Sequence, residues 1–243
     1  GVQTCALPIL LVRPYLSYLR MWDRMAADRP DYIICNSEYT QDRVKKYYRR
    51  ESAVIYPPVK IPSDTAVRHA ALENKNKKRG YFLVVSRLSP YKRIDAVVEA
   101  FNKLQLPLVI VGEGKQGKYL RSIAGKNIKF LGWIPDDKLE KIYSDARAFI
   151  FPTIDDFGLA PAEAMACGVP VIAVRKGGVK EIMIEGETGE FFDVSVPEII
   201  ADGVRRFTEN EDGYDKEFIR QRAREFGKER FIKELKEFID HVS

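Results

Sequence analysis

YFLVVSRLSPYKRIDAVVEAFNKLQLPLVIVGEG, residues 81–114, is the stretch on which the fold turns. Its first five residues form a continuous apolar run of strand length. Ile94, Val97, Val98, Phe101 and Leu104 then recur at helical spacing, and PLVIV at 107–111 is a second apolar run. A strand that is apolar on both faces has to be covered on both faces. Two such strands with a helix between them are the repeating unit of a parallel sheet. The pattern continues downstream, with strands predicted at 128–131 (IKFL), 148–151 (AFIF), 170–174 (PVIAV) and, more weakly, 189–192 (GEFF). Helical periodicity fills the intervals 116–124, 136–146, 159–167 and 178–185, and charged amphipathic helices follow over 196–242. From residue 81 onward the chain reads as a doubly wound α/β unit.

Upstream, residues 10–56 hold a helix, a strand at 32–35 (YIIC), a helix opening at Asn36-Ser37 and a short strand in AVIY. The prolines of YPPVKIP (56–62) disfavour helix, and the polar stretch SDTAVRHAALENKNKKRG (63–80) follows them. A junction is expected near 57–63, dividing residues 1–58 from residues 59–243.

Composition narrows the function classes. Of the 243 residues 45% are apolar, which supplies a full core and argues against wholesale disorder. Lys and Arg number 40 against 35 acids, a net charge of +5. That mild excess suits anionic small molecules or an anionic membrane surface and is weak for nucleic acid. The basic runs RVKKYYRR (43–50) and NKNKKR (74–79) read as a solvated helix face and a solvated loop. Cys5, Cys35 and Cys167 are odd in number and far apart, so neither a disulfide framework nor a metal cluster is expected, in keeping with a reducing, cytoplasmic setting. No apolar run approaches the ~18 residues of a membrane span. The opening, GVQTCALPILL, has no initiator Met and no basic leader, and reads as the start of a fragment.

Ligands of open α/β sheets bind beyond the carboxyl ends of the strands. Four such ends are chemically marked. After YFLVV, the loop SRLSPYKR carries Arg87 and Lys92 close to a helix start, a cationic pair suited to an anion. After PLVIV comes GEGKQG, which fits G-x-G-x-x-G, although no acid stands at the end of the next strand, where a dinucleotide ribose would need one. Gly112 reads better as a turn that lets a ligand approach the backbone. After IKFL, the backbone of Gly132, Trp133 and Ile134 can meet a base edge or form a plain turn. After AFIF comes FPTIDDFGLAPAEAMACGVPVIA (151–173). Gly158 permits close backbone approach, Pro161 suits a first helical turn, and Gly168 and Pro170 stop the helix. Glu163 stands about one turn inside that helix. Side chains tilt toward the helix start, so Glu163 is expected to lean toward the loop bearing Asp155 and to accept hydroxyl hydrogen bonds. A purely electrostatic partner of the helix dipole is the competing role.

Together these residues resemble a known family. DDFGLAPAEAMACGVPVIA resembles the E-x7-E segment of retaining glycosyltransferases of family 4, which have the GT-B fold. SRLSPYKRID, VGEG, FLGWI and KGGVKEIMIEGETGEFF follow in that family's donor-domain order, and DYIICNSEYTQDRVKKYY with VIYPP resembles the close of its acceptor domain. PYKR and DDFG bring the likeness nearest to mannosyltransferase-like members that build surface polysaccharides.

The resemblance implies a Rossmann-like donor domain plus the remnant of a second one. It implies transfer of a hexose from a nucleoside-diphosphate sugar, GDP-mannose being the suggested donor, to a glycan or lipid-linked acceptor at the inner face of a membrane. Arg87 and Lys92 would bind the diphosphate, and the amides around Gly158, Leu159 and Ala160 would support the phosphates and sugar. Glu163 would accept from the ribose, Asp155 would approach the hexose, and Ile134 would meet the base. No metal or further cofactor is implied. Where the family usually has Glu, this chain has Asp155, shorter by one methylene. The family's acceptor loop and active-site His have no counterpart here, since His69 and His241 match neither position, so the fragment is expected to bind donor without turnover. A non-catalytic nucleotide-sugar binding module and, on GEGKQG alone, an NAD-dependent oxidoreductase are the alternatives.

Overall fold

The computed structural model describes residues 9–62 and 80–242. Two compact units emerge, Gly1–Ile55 and Tyr56–Ser243. In the first, helix α1 (Ile9–Ala27) precedes a two-stranded parallel pair, β1 (Ile34–Cys35) and β2 (Ala53–Val54), joined through helix α2 (Glu38–Tyr48). Ser37 caps α2, its hydroxyl accepting from the Thr40 N–H at 3.0 Å, as an N-cap serine should. The basic run 43–50 is not all solvated, however. Arg50 donates to the Ala27 carbonyl at 2.8 Å and to the Asp31 carbonyl at 2.8 Å, tying the end of α1 to that of α2. The second basic run, 74–79, and His69 lie outside the described residues.

The second unit is built on a six-stranded, wholly parallel sheet: β3 (Tyr81–Val85), β4 (Leu108–Val111), β5 (Ile128–Gly132), β6 (Ala146–Phe151), β7 (Val171–Val174) and β8 (Gly189–Phe192), in the order β5-β4-β3-β6-β7-β8. Helices α3 (Ile94–Leu104), α4 (Gly117–Ile123), α5 (Asp136–Ser144), α6 (Leu159–Ala166) and α7 (Val179–Ile182) connect the strands. Helices α8 (Pro197–Glu209), α9 (Lys216–Arg224) and α10 (Lys228–Val242) close the chain. The central strands are buried on both faces, with Phe82, Leu83, Ile110, Phe149, Ile150 and Ile172 fully enclosed, which is why they read as unbroken apolar runs.

Two features of this layout place the site. The chain winds outward from β3 to β5 and then returns to lay β6 against β3. The carboxyl ends of β3 and β6 therefore flank the point where strand order reverses, the crevice in which open α/β sheets hold ligands. The segment entering the unit is also fastened to its far end. Val59 pairs with Gly227, its N–H donating to the Phe226 carbonyl at 2.9 Å, and the rings of Tyr56, Phe157 and Phe226 meet at centroid distances of 5.4–5.8 Å. Phe157 belongs to the loop after β6, so that loop is seated on the aromatic cluster.

Candidate functional site

The loops after β3 and β6 meet through Lys92 and Asp155. The 3-10 turn Pro90–Lys92 presents Lys92, whose carbonyl accepts from the buried Thr153 hydroxyl at 3.0 Å. The Lys92 Nζ donates to Asp155 Oδ1 at 2.7 Å and Oδ2 at 2.6 Å, and it lies 5.2 Å from the centre of the Tyr91 ring. Both charged groups are largely enclosed, with 15% and 29% of their side chains exposed. The Asp155 backbone is held as firmly. Its carbonyl accepts from the Gly178 N–H at 3.0 Å, and a Cβ on Gly177 or Gly178 would lie 2.5 Å from the Asp155 oxygen or 2.2 Å from the Asp156 oxygen. Only glycine fits at either position.

The same device closes the other side. A Cβ on Gly112, whose φ is +118°, would lie 2.0 Å from the Ser86 carbonyl oxygen, and one on Gly114 would lie 2.3 Å from that of Leu88. Leu88 exchanges backbone hydrogen bonds with Glu113 and Gln116 at 2.9 and 3.0 Å. The close approach expected of Gly112 and its neighbour is thus an approach to the chain's own 86–88 segment. These glycines set the loop that carries Arg87.

Arg87 itself is exposed, and among the described residues its guanidinium has no hydrogen-bond or ion-pair partner. Gly158, at φ +104°, is the N-cap of α6. Leu159 is exposed and Ala160 half-buried, so the first turn of α6 offers its unpaired N–H groups and the positive end of its dipole. Ile134 is half-buried against the core just past β5, beside the exposed Trp133. Arg87, Lys92, Asp155 and the start of α6 therefore belong to neighbouring loops at one sheet edge. Such a set of cations and helix amides is suited to an oxyanion.

Glu163 departs from its expected direction. Its carboxylate faces α5 rather than the Asp155 loop, with Oε2 accepting from the Tyr143 hydroxyl at 3.2 Å. It lines a pocket of about 70 Å³ with Lys60, Pro62, Asp136, Leu139, Glu140, Tyr143 and Cys167. Burial, reinforced by the nearby Asp136 charge, raises the Glu163 pKa above the usual carboxylate range, against the lowering effects of the Tyr143 hydrogen bond and of Lys60. The reason for the turn is local. Tyr143 is buried and its hydroxyl needs an acceptor, which the side of α6 supplies. The two acids of the D-x7-E segment thus address different partners.

Sequence reasoning found the loops but not these pairings. An aromatic residue on the apolar face of the 136–146 segment, four residues after Leu139, was the available sign that Tyr143 points inward. The Lys92–Asp155 pair had no local sign, since its members lie on different connections and are brought together by strand order alone. Among the described residues, no group of three or more His, Cys, Asp or Glu side chains could hold a metal ion, and no helix is long and apolar enough to cross a membrane.

Comparison with known proteins agrees with this layout. The profile of the family described as "Glycosyl transferases group 1" matches residues 68–229. An uncharacterized glycosyltransferase of Methanocaldococcus jannaschii is 26% identical over 215 residues, covering 86% of this chain and 57% of that protein. The O-antigen chain mannosyltransferase B of Escherichia coli is 30% identical over 124 residues, 46% of this chain and 32% of that one. Among solved structures, the Anabaena protein HepE in complex with UDP-glucose superposes with a TM-score of 0.78 at 21% identity, covering 91% of this chain and 67% of its own. The sheet is thus that of GT-B glycosyltransferases. The first of these curated relatives is matched over about half its length.

Proposed function

The chain belongs to the group 1 glycosyl transferases, and on that footing we propose that it forms the donor-binding part of a retaining hexosyltransferase of family 4. The donor is a nucleoside-diphosphate sugar, with GDP-mannose the first candidate, since a mannosyltransferase is among the relatives. The acceptor is a glycan or lipid-linked sugar, met in the cytoplasm at an anionic membrane face. What carries the reading is the meeting of Lys92 and Asp155 at the switch point of the sheet, beside the open first turn of α6.

Breaking the bond between sugar and phosphate develops negative charge on the diphosphate and positive charge at the anomeric carbon. Arg87, without a side-chain partner among the described residues, extends to the outer phosphate. Lys92 exchanges Asp155 for a phosphate oxygen, and the amides at Leu159 and Ala160 complete the cradle. Fixed charge and dipole of this kind stabilise the departing diphosphate without a divalent metal. Asp155, released from Lys92, turns to the hexose hydroxyls, while Glu163 accepts from the ribose and the backbone at Ile134 meets the base. The acceptor hydroxyl attacks from the face the diphosphate leaves, and the leaving phosphate takes its proton, so no protein nucleophile is assigned.

A thermal-shift panel of GDP-, UDP- and ADP-sugars, each with and without EDTA, tests the reading. One nucleotide family should raise the melting temperature irrespective of chelator. Stabilisation by nicotinamide nucleotides alone, or only after Mg²⁺ or Mn²⁺ is restored, would refute it.

A further inference from the structure

We propose that Tyr143 is a positioning residue for donor binding, holding the Glu163 carboxylate aimed so that its remaining acceptor sites meet the ribose diol. The inference rests on the ribose role given to Glu163 above.

The Tyr143 ring is fixed. It is 3% exposed, sits in the last turn of α5 and packs against Phe149 of β6 at 5.8 Å between centroids. Its hydroxyl donates to Glu163 Oε2 at 3.2 Å. Burial and the Glu163 charge raise the phenol pKa well above its ordinary value, so Tyr143 remains a donor at any working pH.

The remaining groups around Glu163 pull in opposite directions. Asp136 and Glu140 on α5 are acids, Lys60 is a cation on the segment entering the unit, and Cys167 is the C-cap of α6. Burial and Asp136 favour the protonated acid, while Tyr143 and Lys60 favour the carboxylate. Among the described residues, Tyr143 is the one of these whose side chain hydrogen-bonds the Glu163 carboxylate, and its ring is held in the core. An ionised carboxylate has about four acceptor sites. Tyr143 occupies one, which leaves the other oxygen and a lone pair of the first for two neighbouring hydroxyls. Without that bond, the carboxylate is no longer held toward α5, loses one of the two groups that favour its ionised form and takes up its proton at higher pH.

The test compares wild type, Tyr143→Phe, Glu163→Gln and the double variant. Phenylalanine keeps the ring contact, and thermal melts establish that each variant is folded. Carbon-13 NMR of the Glu163 carboxyl, without nucleotide, should show its titration midpoint moving to higher pH in Tyr143→Phe. Titration with UDP and with GDP should show Tyr143→Phe weakening the nucleotide that binds by roughly tenfold, with the loss growing as pH falls. In the Glu163→Gln background the same change should have no further effect.

An unmoved carboxyl midpoint, or an equal loss of affinity in both backgrounds, overturns the positioning role even where nucleotide binds well. Failure of wild type to bind either nucleotide overturns the donor reading instead, and the carboxyl titration still decides whether Tyr143 governs Glu163.

Discussion

Lys92 and Asp155 are 63 positions apart in the chain, yet the Lys92 Nζ sits within 2.7 Å of both Asp155 carboxylate oxygens. The loops that carry them leave adjacent parallel strands, β3 and β6, at the reversal of strand order. The two charges satisfy each other, so under the proposed function a phosphate that recruits Lys92 must also displace Asp155. On that reading, donor affinity reports a competition between two anions for one ammonium.

That competition separates the two partners experimentally. Asp155→Asn leaves Lys92 uncommitted and should bind UDP or GDP at least as tightly as wild type, while Lys92→Ala should lose about 1.5–3 kcal/mol, as expected for a hydrogen-bonded charge. The full nucleotide sugar should behave differently, since Asp155→Asn also removes the group assigned to the hexose. Calorimetry with the diphosphate and with its sugar measures both. Equal weakening of bare diphosphate by the two variants would refute the exchange.

Arg87 is the cation whose removal should cost affinity but not stability. Its exposed guanidinium has no partner among the described residues, so Arg87→Ala should melt within about 0.5 kcal/mol of wild type. Diphosphate binding should weaken by roughly 1.5–3 kcal/mol. An unchanged dissociation constant would take the β3 loop out of the site.

For Glu163, stability and binding should move in opposite directions. Its pKa is raised by burial in the native protein, so the native state holds the proton to a higher pH than the unfolded chain does. The associated stability is complete at acid pH, below the unfolded value, and is lost as pH rises through the raised folded value. Glu163→Gln removes that loss. Its melting temperature should match wild type in acid and exceed it at neutral pH, while nucleotide affinity at neutral pH falls by about 1–3 kcal/mol. Melts and titrations across pH decide the matter, and a mutant that melts lower yet binds normally would make Glu163 a helix-dipole partner only.

Gly112→Ala distinguishes a packing glycine from a ligand-facing one. The added methyl would meet the Ser86 carbonyl oxygen at 2.0 Å in a backbone conformation that L residues rarely adopt. The expected loss is about 2–4 kcal/mol of stability, combining overlap with backbone strain. Denaturant titration measures it. A variant of wild-type stability that no longer binds nucleotide would return Gly112 to direct ligand contact.

The fold was legible because the central strands of the second unit are apolar on both faces and the intervening segments have a helical stripe. Ile94, Val97, Val98 and Phe101, read as one helix face, are all buried. The helix that bears Glu163 was legible from its punctuation, Gly158 before it and Gly168 after it, both with positive φ. The direction of Glu163 was not. Helix geometry fixes where a side chain starts, but a buried phenol on a neighbouring helix fixes where it ends, and Tyr143 reaches Glu163 only once α5 and α6 have packed. Likewise GEGKQG displays its glycines in sequence but not the carbonyls of Ser86 and Leu88 that require them.

Those backbone-to-backbone contacts divide the site into a frame and its furnishings. Gly112 and Gly114 back onto Ser86 and Leu88, and Gly177 and Gly178 back onto Asp155 and Asp156, and in each case the nearest atom is a main-chain oxygen. Main-chain atoms do not change when a residue is exchanged. Exposed positions on the same loops, such as Glu113, Lys115 and Lys176, are therefore free to vary without shifting the loops that seat Lys92 and Asp155. On the proposed donor reading, the arrangement lets selection, or an engineer, retune which donor is preferred while the four glycines stay fixed, so that innovation and robustness are assigned to different atoms of the same few loops.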